Sequence, residues 1–190
     1  MDLIIATNNK GKLKEFREML SGKFDHVYGL SDKGINVEIE ETGNSFFENA
    51  LIKAKTIAEL SGLPALGDDS GLCVEALGGA PGIYSARYAG EDCDWQNNNM
   101  KIVEDMKGKT NRKAYFVASL VLYYPDGKYV SAEGRAYGTL LESPKGDKGF
   151  GYDPLFLSDE LGVTFAEADG EIKNKVSHRA KAIKELLSLL

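Results

Sequence analysis

The sequence predicts an α/β fold: a mixed β-sheet flanked by helices. Three observations carry this. The short apolar run Leu3-Ile4-Ile5-Ala6 suits a buried strand, and a helical pattern follows it at once. Further on, Ala114, Phe116, Ala118, Leu120 and Leu122 alternate with Tyr115, Val117, Ser119, Val121 and Tyr123. Both faces of that run are apolar, as a central strand requires. Pro125-Asp126-Gly127 is then a turn signal, so residues 128–137 return antiparallel.

The remaining elements follow in order. The first helix sets Leu13, Phe16 and Met19/Leu20 on one face. A second helix is predicted from Ser45 to Leu60, with Phe47, Leu51, Ala54 and Ala58 at helical spacing, and Gly62 and Pro64 punctuate its end. Pro64-Ala65-Leu66-Gly67 leads into what reads as an acidic turn, Asp68-Asp69-Ser70-Gly71. Residues 77–90 are loop-like around Gly78-Gly79-Ala80-Pro81-Gly82, and a helix runs from Trp95 to Met106. The glycine-rich segment from Lys148 to Pro154 cannot be regular structure. A last helix runs from about Ser177, a good N-cap, to Leu189, with Ala180, Ile183, Leu186 and Leu187 facing inward.

A length of 190 residues favours one domain, or two lobes sharing one core. Hydrophobic residues make up 43% and charged residues 27%, which suits a globular chain. A net charge of −6 argues against a nucleic-acid-binding surface, because such surfaces use Lys and Arg to neutralise phosphates. No signal peptide is read at the start, and no apolar run approaches the roughly 18 residues of a membrane span. The cysteines, Cys73 and Cys93, read as reduced thiols, so a cytoplasmic location is expected.

Four polar clusters lie at predicted element ends, where functional side chains are usually held. Thr7-Asn8-Asn9-Lys10-Gly11-Lys12 opens the first helix, whose free N–H groups favour an anion, with Lys12 adding a full charge. The bland alternative is a helix cap with solvated lysines. Glu38, Glu40 and Glu41 precede the second helix, and Asp68-Asp69 follow it. Mg²⁺ takes hard oxygen ligands, often one or two carboxylates plus phosphates and water, so Glu40 and Asp69 could hold it. An acidic run is more commonly just solvated, but two acids together between apolar stretches are more telling. In the third cluster, glycines around Phe150 let the backbone approach a ligand, and Phe150 or Tyr152 could stack on a base. The alternative there is an aromatic-anchored turn. The fourth, Lys173-Asn174-Lys175-Val176-Ser177-His178-Arg179, brings cations and donors to the start of the last helix, or simply caps it.

Two patterns carry no function. Gly108-Lys109-Thr110 resembles the end of a P-loop, but Val103 stands where a glycine is required. No G-x-S-x-G is present, and His26 reads as a surface histidine.

Taken together, the clusters resemble the inosine/xanthosine triphosphate pyrophosphatases, the Ham1-like family. The motifs are Thr7, Asn9, Gly11 and Lys12; Glu40-Glu41-Thr42-Gly43; Phe47-Glu48-Asn49-Ala50 with Lys53-Ala54; and Asp68-Asp69-Ser70-Gly71-Leu72. They continue with the run from Leu77 to Tyr88, then Gly149 to Pro154, Lys173-Asn174 and Ser177-His178-Arg179. The resemblance implies an elongated α/β body with two lobes around a central substrate cleft. It further implies a homodimer with the Gly78 to Tyr88 region near the interface, and a purine nucleoside triphosphate as substrate. Thr7, Asn8, Asn9, Lys10, Gly11 and Lys12 would grip the phosphates with Lys53 and Ser70. Glu40 and Asp69 would hold Mg²⁺, with Glu41 and Asp68 close by, and Asp69 would position or deprotonate the attacking water. Phe150, Gly151, Tyr152, Asp153, Lys173, His178 and Arg179 would form the base pocket. The implied reaction converts ITP, dITP or XTP to the monophosphate and pyrophosphate. A Maf-like pyrophosphatase is disfavoured, because the Ser-rich, double-Arg N-terminal signature of that family is absent. A non-catalytic nucleotide-binding protein on the same scaffold would be expected to lack Glu40, Asp69 or Lys12, and all three are present.

Overall fold

The computed structural model describes residues 1–91 and 94–190, so the expectation for Cys93 lies outside the described residues. Its six-stranded sheet has the order β2-β1-β3-β4-β5-β6, with β1 at Asp2–Ile5, β2 at His26–Tyr28, β3 at Ala65–Val74, β4 at Lys113–Tyr123, β5 at Tyr129–Leu140 and β6 at Phe156–Ser158. β1 runs parallel to both β2 and β3, whereas β5 and β6 are antiparallel. The sheet is therefore mixed, as predicted. Five helices accompany it among the described residues: α1 (Lys10–Met19), α2 (Phe46–Ser61), α3 (Trp95–Asp105), α4 (Gly170–Val176) and α5 (His178–Ser188).

The helix ends follow their capping chemistry. Asn9 accepts from the Lys12 N–H at the start of α1, and Ser45 accepts from the Glu48 N–H at the start of α2. α2 stops at Gly62, whose φ of 70° is left-handed. Ser177 Oγ accepts from the Ala180 N–H, which is the N-cap expected for the last helix.

The chain divides into two compact units. The first comprises residues 1–69, 118–134 and 182–190. Its core follows the period of the strands. Leu3 and Ile5 pack with Phe16 of α1, with Leu20 at its C-cap, and with Ile183 and Leu186 of α5. Ile4 and Ala6, on the opposite face, pack with Ala50, Ala54, Ile57 and Ala58 of α2. Here β3 meets α2 backbone to backbone: a Cβ on Gly67 would overlap the Ala50 carbonyl oxygen. The second unit comprises residues 70–117 and 135–181 and has its own core, including Leu72, Val74, Ile102, Phe116, Tyr152, Phe156 and Phe165.

Three expectations are corrected. Asp68-Asp69-Ser70-Gly71 is no turn; it lies inside β3, whose backbone stays extended from Ala65 to Val74. Residues 82–87 and 153–155 form short 3-10 turns within segments read as irregular. Lys173 and Asn174 do not lead into the last helix but belong to α4, which ends at Val176, one residue before the Ser177 cap. The short strands β2 and β6 had no counterpart among the predicted elements. His26 is exposed, as expected, but sits on β2 with its Nδ1 2.9 Å from Asp2. No helix among the described residues is long and apolar enough to cross a membrane.

Candidate active site

Because Asp68 and Asp69 are consecutive in a strand, their side chains leave on opposite faces. Each meets a lysine from a different helix. Lys12, in the first turn of α1, lies 2.8 Å from Asp68. Lys53, on α2, lies 3.9 Å from Asp69 Oδ1 and 2.9 Å from Glu41 Oε1. Asn49, in the first turn of α2, donates to Asp69 Oδ2 at 3.1 Å. Asp68, Asp69, Asn49 and Lys53 are all buried. Burial pushes the Asp69 carboxyl up to about 6; Lys53 and then Lys12 pull against that rise, and Glu41 adds to it.

The loop before α1 is knitted to the helix start. Thr7 Oγ1 accepts from the Asn9 N–H at 3.1 Å, and Asn9 Oδ1 accepts from the Lys12 N–H at 3.0 Å. The capping alternative is therefore realised, yet it leaves the Asn9 amide N–H₂ available to an anion. Thr7, Asn9, Gly11 and Lys12 are half-buried, while Asn8 and Lys10 are exposed.

Carboxylates dominate the possible metal donors. Among the described residues no cluster of three or more His, Cys, Asp or Glu stands ready for a metal. The carboxylates present are hard oxygen donors of the kind Mg²⁺ takes: Glu41 and Asp69 flank the Lys53 ammonium, and Asp68 pairs with Lys12. Glu40 is exposed, next to Glu41.

In the second unit, Asp153 and Lys173 form a buried ion pair at 2.7 Å. Asp153 Oδ2 also accepts the Phe150 N–H at 3.1 Å, and the Lys173 ammonium lies 4.9 Å from the centre of the Phe150 ring. The pair thus holds the loop that carries Phe150. His178 stacks on Phe116 with ring centres 4.8 Å apart, and Arg179, which is buried, donates to Ser70 Oγ at 2.9 Å.

Tyr152 is an anchor here. Its ring is 2% exposed and meets Trp95 edge-on, and its hydroxyl donates to the Ser85 carbonyl at 2.7 Å. Asn99 donates to the Gly151 carbonyl at 3.0 Å. Of the two aromatics expected to stack on a base, Phe150 is half-buried and retains ring surface to offer. The sequence reading gave no role to Asn49, Ser85, Trp95 or Asn99. Asn49 and Ser85 carried a signal, as polar residues inside the Phe47-Glu48-Asn49-Ala50 motif and the run from Leu77 to Tyr88.

Comparison with known proteins shows which family the chain resembles. The sequence pattern described as the Ham1 family matches residues 3–189. A dITP/XTP pyrophosphatase of Thermus thermophilus is 50% identical over 190 residues, covering 98% of this chain and 90% of that one. One of Bacillus subtilis is 45% identical over 191 residues, covering 100% and 96%. A solved structure of a HAM1 protein from Coxiella burnetii superposes with a TM-score of 0.89 at 35% identity, covering 100% of this chain and 98% of that one.

Proposed function

This chain belongs to the Ham1 family, and we propose that it is a Mg²⁺-dependent nucleoside-triphosphate pyrophosphatase acting on ITP, dITP and XTP. The observation that supports this reading most is the buried Asp69 carboxylate, which accepts a hydrogen bond from Asn49 and lies beside the Lys53 ammonium. A buried carboxylate fixed in orientation is suited to position a water and take its proton.

In this reading Asp69 takes the proton of a water attacking the α-phosphorus in line. The bond from that phosphorus to the bridging oxygen breaks, pyrophosphate leaves, and the nucleoside monophosphate keeps the new oxygen. Thr7, Asn8, Asn9, Lys10, Gly11 and Lys12, with Lys53 and Ser70, bind the phosphate chain and offset its charge. Glu40 and Asp69 would hold Mg²⁺, with Glu41 and Asp68 alongside, and the ion would supply neutralisation of phosphate charge. Phe150 stacks on the base, while Asp153 and Lys173 keep its loop in place.

His178 and Arg179 favour a 6-oxo group over a 6-amino group. A buried donor left facing the amino group costs about 1–3 kcal/mol, or roughly 5- to 150-fold in selectivity. The proposed setting is cytoplasmic cleansing of the nucleotide pool by a homodimer. Tyr84, exposed and lying under Arg87 at 5.0 Å, offers an aromatic contact in the region assigned to that interface.

Hydrolysis of ITP in ¹⁸O-labelled water tests the bond broken. Label is expected in the monophosphate and absent from pyrophosphate. Label in inorganic phosphate would place the attack at the γ-phosphorus and refute the reading.

A further inference from the structure

Asn49 occupies an unusual place: it is 1% exposed and bonded at both ends of its amide. Its Oδ1 accepts the Gly43 backbone N–H at 2.8 Å, and its Nδ2 donates to Asp69 Oδ2 at 3.1 Å. The two bonds fix the orientation of the amide. A backbone N–H can only donate, so the oxygen must face Gly43, and the nitrogen is left for a carboxylate that accepts.

Two glycines make this geometry possible. A side chain at Gly43 would meet Asn49 Oδ1 at 2.7 Å and Glu48 Cβ at 2.6 Å. Gly67, two residues before Asp69 on the same strand face, lets the start of α2 come against β3. Helix α2 therefore brings both Asn49 and Lys53 to the acidic strand, one turn apart on the same side.

We propose that Asn49 is a positioning residue that holds the Asp69 carboxylate and, through the Gly43 peptide, ties the Glu40-Glu41-Thr42-Gly43 segment to it. Lys53 alone cannot do this, since an ammonium 3.9 Å from Asp69 sets charge but not orientation. The inference rests on Asp69 being the residue that handles the attacking water. It adds that the carboxylate's aim depends on one amide, and that the same amide couples it to the carboxylates before α2.

Two variants separate the halves of this claim. Asn49→Ala removes both bonds. Asn49→Asp keeps an acceptor for Gly43 but replaces the donor to Asp69. The readouts are kcat and KM for ITP, and hydrogen–deuterium exchange at the Gly43 amide. With Asn49→Ala, kcat is expected to fall about 10- to 100-fold, as for the loss of other residues that orient a reacting group. KM should stay within about twofold, because no phosphate contact is lost, and Gly43 should exchange faster. With Asn49→Asp, kcat should fall similarly while Gly43 stays protected. Wild-type kcat in Asn49→Asp would overturn the proposal even if Asn49→Ala fails to fold. A change confined to KM would also overturn it, by making Asn49 a substrate contact. If the wild type itself does not cleave ITP, the pyrophosphatase reading fails instead, and Gly43 exchange still reports whether Asn49 makes its backbone bond.

Discussion

The ammonium of Lys12 lies 2.8 Å from Asp68 Oδ2, and the Asp68 side chain is wholly withdrawn from solvent. Removing one partner of such a pair strands the other charge in a poorly solvated place. In the proposed enzyme Lys12 also meets the triphosphate, so it serves stability and binding at once.

The two roles can be separated. Lys12→Met should lower stability by about 3 kcal/mol and raise KM for ITP. Adding Asp68→Asn should recover most of the stability, because no charge is left stranded, but should not recover KM. Thermal unfolding and steady-state kinetics on both variants check this; recovery of KM in the double variant would contradict the role of Lys12 in binding phosphate.

Asp69 makes the opposite trade. Its carboxyl is pushed up from 3.8 to about 6, chiefly by burial. The folded state therefore binds this proton more tightly than the unfolded state does. The resulting stability is present in full below about pH 4 and is lost as pH rises through about 6. A gap of about two pH units corresponds to roughly 3 kcal/mol. With EDTA present, Asp69→Asn should be more stable than wild type at about pH 8 by up to that amount, and it should be inactive once Mg²⁺ is restored. Thermal melts across the pH range test the first part. An Asp69→Asn protein no more stable than wild type at about pH 8 would show that burial does not dominate.

The Asp153–Lys173 pair tests how Phe150 is held. Both side chains are buried, so Lys173→Met should cost about 3–5 kcal/mol by removing the cation that balances the Asp153 charge. Lys173→Met combined with Asp153→Leu should regain much of this. The Phe150 N–H would still have lost its acceptor, so discrimination between ITP and ATP should remain weakened. Full selectivity in the double variant would mean that Phe150 needs no such support.

Much of this arrangement was legible in the order of the residues, for physical reasons. Leu3 to Ala6 and residues 114–123 are apolar on both faces, which only buried strands tolerate, and Ser45 and Ser177 sit where caps belong. The Asp68-Asp69 pair was misread as a turn because two acids rarely continue a strand; Lys12 and Lys53, far away in sequence, supply the charge that lets them. β2 and β6 have three residues each, too few to show a period. The pairing of Lys173 with Asp153 across 20 residues, and the double bonding of Asn49, are tertiary facts with no local pattern. Tyr152 looked able to stack on a base because its neighbours are glycines. Its burial depends on Trp95 and Ser85, which sequence spacing does not connect to it.

The most direct test of the central claim is pyrophosphate release from ITP, XTP, GTP and ATP, each with Mg²⁺ and with EDTA. The account predicts fast release from ITP and XTP, little from ATP, and none once the metal is removed. Release of inorganic phosphate, equal rates with all four bases, or activity that survives EDTA would contradict it.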